Sequence, residues 1–317
     1  MQSEPIEILT LPNEDSINRK MEPTNSTYDI RAVLKQVLNQ VEESQSRDSP
    51  LIGITTGFAA LDDKTLGMQK GDLIVVAARP SMGKTTLVLN LAENVLFSNS
   101  KPVIVFSMGA PAALIGSRLI SSFGSINRER MRSGRLHEND WVRLTSAMSQ
   151  LQDKQLYIDD SFTLSPQQLR ERVLQIAKKN QGKVEAIVID DAHKMKIHGF
   201  EGTPSEELLA ITNSLKSLAQ EMNCPVIISL KLCNRVDRRK NKRPILSDFI
   251  ESENADLVLF IYRDEMYKLR SKDHGVAEII VGKQKNGPNG SVRLAFQDQF
   301  TRFTNLPPDF HRPEFED

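Results

Sequence analysis

The stretch Leu73-Ile-Val-Val-Ala-Ala-Arg-Pro-Ser-Met-Gly-Lys-Thr-Thr86 joins an apolar run, Leu73–Ala78, to a helix-like run, Thr86–Val95, through one tight loop. Residues Ala78, Arg79, Pro80, Ser81, Met82, Gly83, Lys84 and Thr85 follow the loop pattern that cradles a nucleoside triphosphate, with Thr86 just inside the helix. Gly83 lets successive backbone N–H groups curl toward phosphate oxygens, and the helix behind them adds the positive end of its dipole. Lys84 supplies a mobile ammonium. Thr85 supplies a hydroxyl for Mg²⁺, whose small shell is completed mostly by phosphates and waters. The first position of the pattern is normally Gly and here is Ala78, which costs little if its backbone keeps a negative φ.

Composition sets wide bounds around this loop. A chain of 317 residues holds one large domain or two ordinary ones. The 41 basic and 41 acidic residues cancel, so nucleic-acid binding requires a local patch and not the whole surface. The two cysteines, Cys224 and Cys233, show no metal or redox spacing, which fits a reducing cytosol. No apolar run approaches a bilayer span and the first 22 residues lack the core of a signal peptide, so the expectation is a soluble, cytoplasmic protein without a membrane partner.

Residues 1–27 carry no sustained apolar period and read as a flexible tail, as do residues 307–317. From Asp29 to Glu43, Ile30, Val33, Leu34, Val37, Leu38 and Val41 repeat at spacings of three and one, which predicts a single-faced helix ahead of a linker at Ser46–Pro50. That stripe covers either its own core or a neighbouring subunit.

Residues 51–306 alternate strands and helices, which predicts an α/β domain with a mostly parallel sheet flanked by helices. Strands are expected at Leu73–Ala78, Val103–Met108, Gln155–Ile158, Ala186–Asp190, Val226–Leu230 and Leu257–Tyr262. An antiparallel set is expected at Ala277–Gly282, Val292–Phe296 and Thr301–Phe303. Ser165-Pro-Gln-Gln168 and Thr203-Pro-Ser-Glu206 are capping boxes with Pro at the first helical position, the second opening a helix to about Met222.

The apolar strand Ala186-Ile-Val-Ile-Asp190 ends in a carboxylate, which is the second half of a triphosphate site: Asp190 is expected beside Thr85 on the Mg²⁺. Gly282-Lys-Gln-Lys-Asn-Gly-Pro-Asn-Gly290 separates two strand-like runs, so Lys283 and Lys285 share one face of a hairpin end. They are either a solvated tip or cations that reach the nucleotide of an adjoining subunit. The basic segment with Arg235, Arg238, Arg239 and Lys240 leaves the strand at Val226–Leu230 and is a candidate contact for DNA phosphates.

Taken together, the residues from about Ile54 to Phe303 resemble the RecA-like motor domain of the DnaB family of hexameric replicative helicases. The resemblance is carried by Thr56-Gly-Phe, Ala60-Leu-Asp62, Ala77–Thr86, Asp140-Trp141, Tyr157-Ile-Asp-Asp-Ser161, Lys242-Arg-Pro244, Phe260-Ile-Tyr-Arg-Asp-Glu265 and Gly282-Lys-Gln-Lys-Asn-Gly-Pro288. It implies a RecA-like P-loop core, ATP and Mg²⁺ as ligands, single-stranded DNA as a partner, and a ring built from copies of this chain or shared with a full-length helicase. The family's helical N-terminal domain has no counterpart in these residues.

Four positions depart from what the resemblance implies. Gly109, in Phe106-Ser-Met-Gly-Ala-Pro111, stands where the family carries the Glu that deprotonates the attacking water, a base typically worth about 10²–10⁴ in rate. Lys231 replaces a glutamine that links γ-phosphate to DNA. Lys285 replaces an arginine finger, keeping the charge and losing the bidentate fork. The segment Ser247–Asp256 is shortened and carries Ile250 where the family has Arg, which predicts a weak grip on DNA. Asp191, directly after Asp190, is similar to the second acid of other P-loop helicase classes; it is either a partial substitute for the missing Glu or a cap of the segment that follows.

The expectation is an ATP-binding protein with weak hydrolysis that joins or regulates a helicase ring. The alternative is an active ATP-driven helicase. A recombinase-type or clock-type RecA-fold ATPase is disfavoured by the Lys-Gln-Lys-Asn-Gly-Pro hairpin.

Overall fold

The computed structural model describes residues 29–31, 34, 35, 38, 51–249, 253–268 and 270–307. By compactness the chain divides into residues 1–49 and 50–317. In the first unit Ile30, Leu34 and Leu38 are helical and exposed, and their spacing of four puts them on one face. Val33, Val37 and Val41, the rest of that predicted stripe, lie outside the described residues, as do the predicted tail at 1–27 and all but the first residue of the predicted tail at 307–317.

The described residues of the second unit form a sheet of nine strands in the order β3-β2-β4-β5-β1-β6-β7-β8-β9. These are β1 Leu73–Ala78, β2 Val103–Ser107, β3 Leu156–Asp159, β4 Ala186–Asp190, β5 Val226–Lys231, β6 Leu257–Tyr262, β7 Val276–Lys283, β8 Gly290–Gln297 and β9 Arg302–Asn305. The first six are parallel, and β7, β8 and β9 extend the sheet antiparallel from β6. Every residue of β1, β2, β4 and β6 is buried, because helices cover both faces and a strand there has no polar side to show.

The period of two divides each strand between two cores. Ile74, Val76 and Ala78 share a core with Leu61 of α1, Ala59–Thr65, with Leu87, Val88 and Leu91 of α2, Lys84–Ser98, and with Ile115 and Leu119 of α3, Ala112–Gly124. Leu73, Val75 and Ala77 face Leu169 and Val173 of α4, Pro166–Lys179, and Ile211 and Leu215 of α5, Pro204–Met222. Both predicted capping boxes are formed: Ser165 accepts from the Gln168 N–H, and Thr203 from the Glu206 N–H.

The antiparallel strands brace α2. Phe303 N–H donates to Asn90 Oδ1 at 2.8 Å, and Asn90 Nδ2 to Ser122 Oγ at 3.0 Å, a buried polar link between β9, α2 and α3. Several ends differ from the sequence reading. β2 stops at Ser107, before the bend to Gly109; β9 begins at Arg302, because Thr301 turns through the left-handed region at φ 49°.

Candidate nucleotide-binding site

The carboxyl ends of the parallel strands meet at one place. Register sets Ala78 beside Lys231 and Ser107 beside Asp190, so the last residues of β1, β5, β2 and β4 share one rim of the sheet. Open α/β sheets bind ligands at this rim.

The loop between β1 and α2 is held from several sides. Ala78 is fully buried and lies outside the left-handed region, so the missing Gly at that position costs nothing here. Ser81 and Gly83 have φ of 65° and 101°, which curls the loop, and Met82 is buried in the core beneath it. Arg79 donates to the Leu232 carbonyl at 2.9 Å and pairs with Asp237, while Arg263 Nη1 donates to the Ser81 carbonyl at 3.2 Å. Arg263 itself is fixed by Glu265 and lies 3.9 Å from the centre of the Phe296 ring. Pro80 and Ser81 are exposed, and Lys84, Thr85 and Thr86 are half-buried at the helix start.

Opposite them stands Asp190, 2% exposed. Thr85 Oγ1 donates to its Oδ2 at 2.8 Å and Ser229 Oγ to its Oδ1 at 2.6 Å. Burial raises the Asp190 carboxyl above the ordinary value, with Asp191 adding to the rise and the bonds from Ser229 and Thr85 opposing it. Burial also lowers the Lys84 ammonium, as do Lys231 and Arg79, while Asp191 and Asp190 resist. A hydroxyl and a carboxylate in contact are hard oxygen donors of the kind Mg²⁺ takes alongside phosphates and water, so Thr85 and Asp190 fit that ion. Among the described residues no group of three or more His, Cys, Asp or Glu side chains could hold a metal unaided.

The rim near Gly109 is crowded by Asp191. A Cβ on Gly109 would lie 2.3 Å from Asp191 Oδ2. Lys194 Nζ and His193 Nδ1 both lie 3.8 Å from the Asp191 carboxylate, and Lys194 donates to the Met108 carbonyl at 3.0 Å.

Lys283 and Lys285 are elsewhere. β7 runs antiparallel to β6, so Lys283 pairs with Val258 at the beginning of β6, the end of the sheet away from Lys84. Lys283 donates to the Glu253 carbonyl at 3.0 Å, and Lys285 pairs with Asp256 at 2.5 Å. Burial would raise the Asp256 carboxyl, but bonds from Lys216, Lys285 and the Leu73 N–H hold it below the ordinary value.

The residues 53–305 match the family model of the DnaB-like helicase C terminal domain. This chain belongs to that family. It is 43% identical over 300 residues to the replicative DNA helicase DnaB of Pasteurella multocida (strain Pm70), covering 92% of this chain and 64% of that protein. The chain thus spans less than two thirds of the helicase it matches. Among solved structures, an isolated ATPase domain superposes with a TM-score of 0.83 at 30% identity, over 89% of this chain and all of that one. A DnaB-like replicative helicase, whose structure was described with its interactions with primase, superposes with a TM-score of 0.81 at 30% identity, over 89% of this chain and 68% of that one.

Within this DnaB-like domain the basic segment is only partly open. Arg235, Arg238 and Lys240 are exposed, whereas Arg239 is committed to Asp248 and the Arg243 carbonyl at 2.7 and 2.8 Å. Arg79 links this segment to the phosphate loop through Asp237, whose carboxylate also accepts from Tyr267. Lys231 is exposed at the end of β5, next to Ala78, and Ile250 lies outside the described residues. No described helix is long and apolar enough to cross a membrane.

Two residues at the rim carried no sequence signal. Ser229 reads as an ordinary strand residue until the register sets it under Asp190. Arg118, on α3, is a half-buried cation whose Nε lacks a partner; burial lowers its guanidinium while Asp190 and Asp191 pull the other way.

Proposed function

We propose that this chain is an ATP-binding subunit of a DnaB-type helicase ring in DNA replication, with slow hydrolysis, acting as an accessory or regulatory member of that ring. The phosphate-loop backbone with Lys84 grips the triphosphate, and Thr85 with Asp190 takes the Mg²⁺. The observation that carries the reading is the contrast between that assembled pair, at 2.8 Å, and the bare backbone at Gly109. Mg²⁺ would neutralise charge on the phosphates when bound. Everything else falls to the chain's own residues: Gly83 opens the loop, Lys84 faces the oxygens, and Lys283 and Lys285 serve a neighbouring subunit.

A second reading, an active helicase coupled to single-stranded DNA, is favoured by the link from Arg79 through Asp237 to the basic segment with Arg235, Arg238 and Lys240. Nucleotide affinity and steady-state ATP turnover, measured with and without single-stranded DNA, separate the two. Tight Mg-ATP binding with turnover below about 1 s⁻¹, the bottom of the usual enzyme range, and no stimulation by DNA supports the accessory subunit. DNA-stimulated turnover supports the motor, and no affinity for ATP defeats both. Native mass measurement, alone and with a full-length helicase, distinguishes a ring of this chain from a mixed one.

A further inference from the structure

The nucleotide-binding reading leaves Asp191 without a task, and its geometry is unusual. It sits in the left-handed region at φ 61°, ψ 44°, a conformation uncommon for any residue but glycine and tolerated best by Asn and Asp. Strain of this kind persists only where surrounding contacts impose it. Here the Asp191 N–H donates to Ser229 Oγ at 2.8 Å, and the same hydroxyl donates to Asp190 Oδ1 at 2.6 Å, so one serine locks both acids in register.

A capping role does not account for the side chain. Asp191 precedes the short 3₁₀ turn Ala192–Lys194, yet its carboxylate makes no capping bond to that turn. Among the described residues its oxygens accept no hydrogen bond; the nearest basic side-chain nitrogens, on His193 and Lys194, stand off at 3.8 Å. The side chain keeps 26% of its surface open. The charges of Asp191 and Asp190 both act on the Lys84 ammonium, so this carboxylate shares the rim that carries the phosphate loop.

The decisive relation is with Gly109. Asp191 Oδ2 fills the volume where the first carbon of a side chain at 109 would stand, 2.3 Å from that point. Absence of a side chain on the loop after β2 and presence of an acid after β4 are therefore one structural change: the carboxylate enters from the neighbouring strand. We propose that Asp191 directs the attacking water and accepts its proton, in place of a glutamate at position 109. The water oxygen bonds to the γ-phosphorus as the bond from that phosphorus to the β–γ bridging oxygen breaks. Its electron pair leaves with ADP, and the water's proton passes to Asp191. The proposal rests on the nucleotide-binding reading and assigns whatever turnover the chain has to this residue.

The test pairs Asp191→Asn with Gly109→Ala. Asn keeps the left-handed backbone and removes the charge; Ala at 109 forces the Asp191 carboxylate away without touching its chemistry. Single-turnover hydrolysis of radiolabelled ATP followed over hours gives the rate, and titration with a fluorescent ATP analogue gives affinity. Asp191→Asn is expected to slow hydrolysis by roughly 10² or more, with affinity unchanged or tighter because an acid facing the phosphates is gone. Gly109→Ala is expected to slow it as well and to add nothing in the Asp191→Asn background. Wild-type rate in Asp191→Asn, additive losses in the double variant, affinity lost with the rate per bound nucleotide kept, or no hydrolysis by the parent despite tight binding would each overturn the assignment. Loss of ATP affinity in the parent chain would instead defeat the nucleotide-binding reading itself. Thermal melts of each variant identify any that fail to fold, and either single variant suffices to decide.

Discussion

At Gly83 two constraints coincide: φ is 101°, and a Cβ would lie 3.0 Å from Cζ of Phe303 and 3.3 Å from Cε2 of Phe296. An L side chain there meets both a left-handed penalty of about 1–2 kcal/mol and the ring pair that braces the loop. Gly83→Ala is therefore expected to destabilise the fold by about 1–2 kcal/mol in urea denaturation. It should also weaken ATP-analogue binding at least tenfold, because backbone N–H groups and not side chains make the cradle. Wild-type affinity in this variant would show that the phosphates are held elsewhere. The need for glycine was readable in the sequence, since the loop pattern demands it. The rings that crowd it were not, because Phe296 and Phe303 arrive from strands more than two hundred residues downstream. Asp190 was legible for the same reason as Gly83, as the polar end of an apolar run. The placement of Asp191 against Gly109 was not, because it depends on the register of β2 beside β4 and on one positive φ.

Elements with a single environment were the easiest to read. β1, β2, β4 and β6 are buried on both faces and announce themselves as short apolar runs, and α4 and α5 carry their start signals in sequence. The helices between residues 112 and 152 are harder: α3 contains Gly116 and three serines, poor helix formers held in place by packing and not by propensity. α2 shows an element-scale conflict. Glu93 is 4% exposed, and its Oε2 has no hydrogen-bond partner. Burial raises its carboxyl above the ordinary value of 4.5, against the pull of Ser122, Arg302 and Asn90. A raised carboxyl favours the neutral form in the fold, so stability is fully present below the unfolded value and is lost as pH rises through the folded one. Glu93→Gln keeps the shape and is expected to be more stable than the parent by about 1 kcal/mol at pH 8, the scale of an unsatisfied buried polar group. The difference should vanish toward pH 4. Urea denaturation of both proteins across this range checks it, and a Gln variant less stable than the parent at pH 8 but equal to it at pH 4 would mean that the charged carboxylate is a net asset beside Arg302.

Sheet polarity decides what the compact unit can do alone. Lys285 is tied to Asp256, which also accepts from the Leu73 N–H at the start of β1, whereas the phosphate loop follows Ala78 at its end. Five residue steps of about 3.3 Å put roughly 16 Å between those levels, too far for the lysine to serve its own nucleotide. Release from Asp256 costs little, since Lys285 is exposed and the acid keeps Lys216 at 2.6 Å and the Leu73 N–H at 2.8 Å. In the proposed ring this releasable cation, out of reach of its own site, would meet the phosphate loop of the next copy. Complementation tests this directly. Lys84→Ala removes the loop's cation and Lys285→Ala removes the hairpin's, so each variant alone is expected to lose turnover. In an equal mixture, a Lys285→Ala subunit with an intact loop receives an intact hairpin from a Lys84→Ala neighbour. Random mixing makes about a quarter of the interfaces complete, so turnover should recover to about that fraction of the parent's, and only after subunits exchange. A mixture no more active than its components, though shown by mass to contain both chains in one ring, would mean that Lys285 stabilises its own subunit through Asp256 and does not act across an interface.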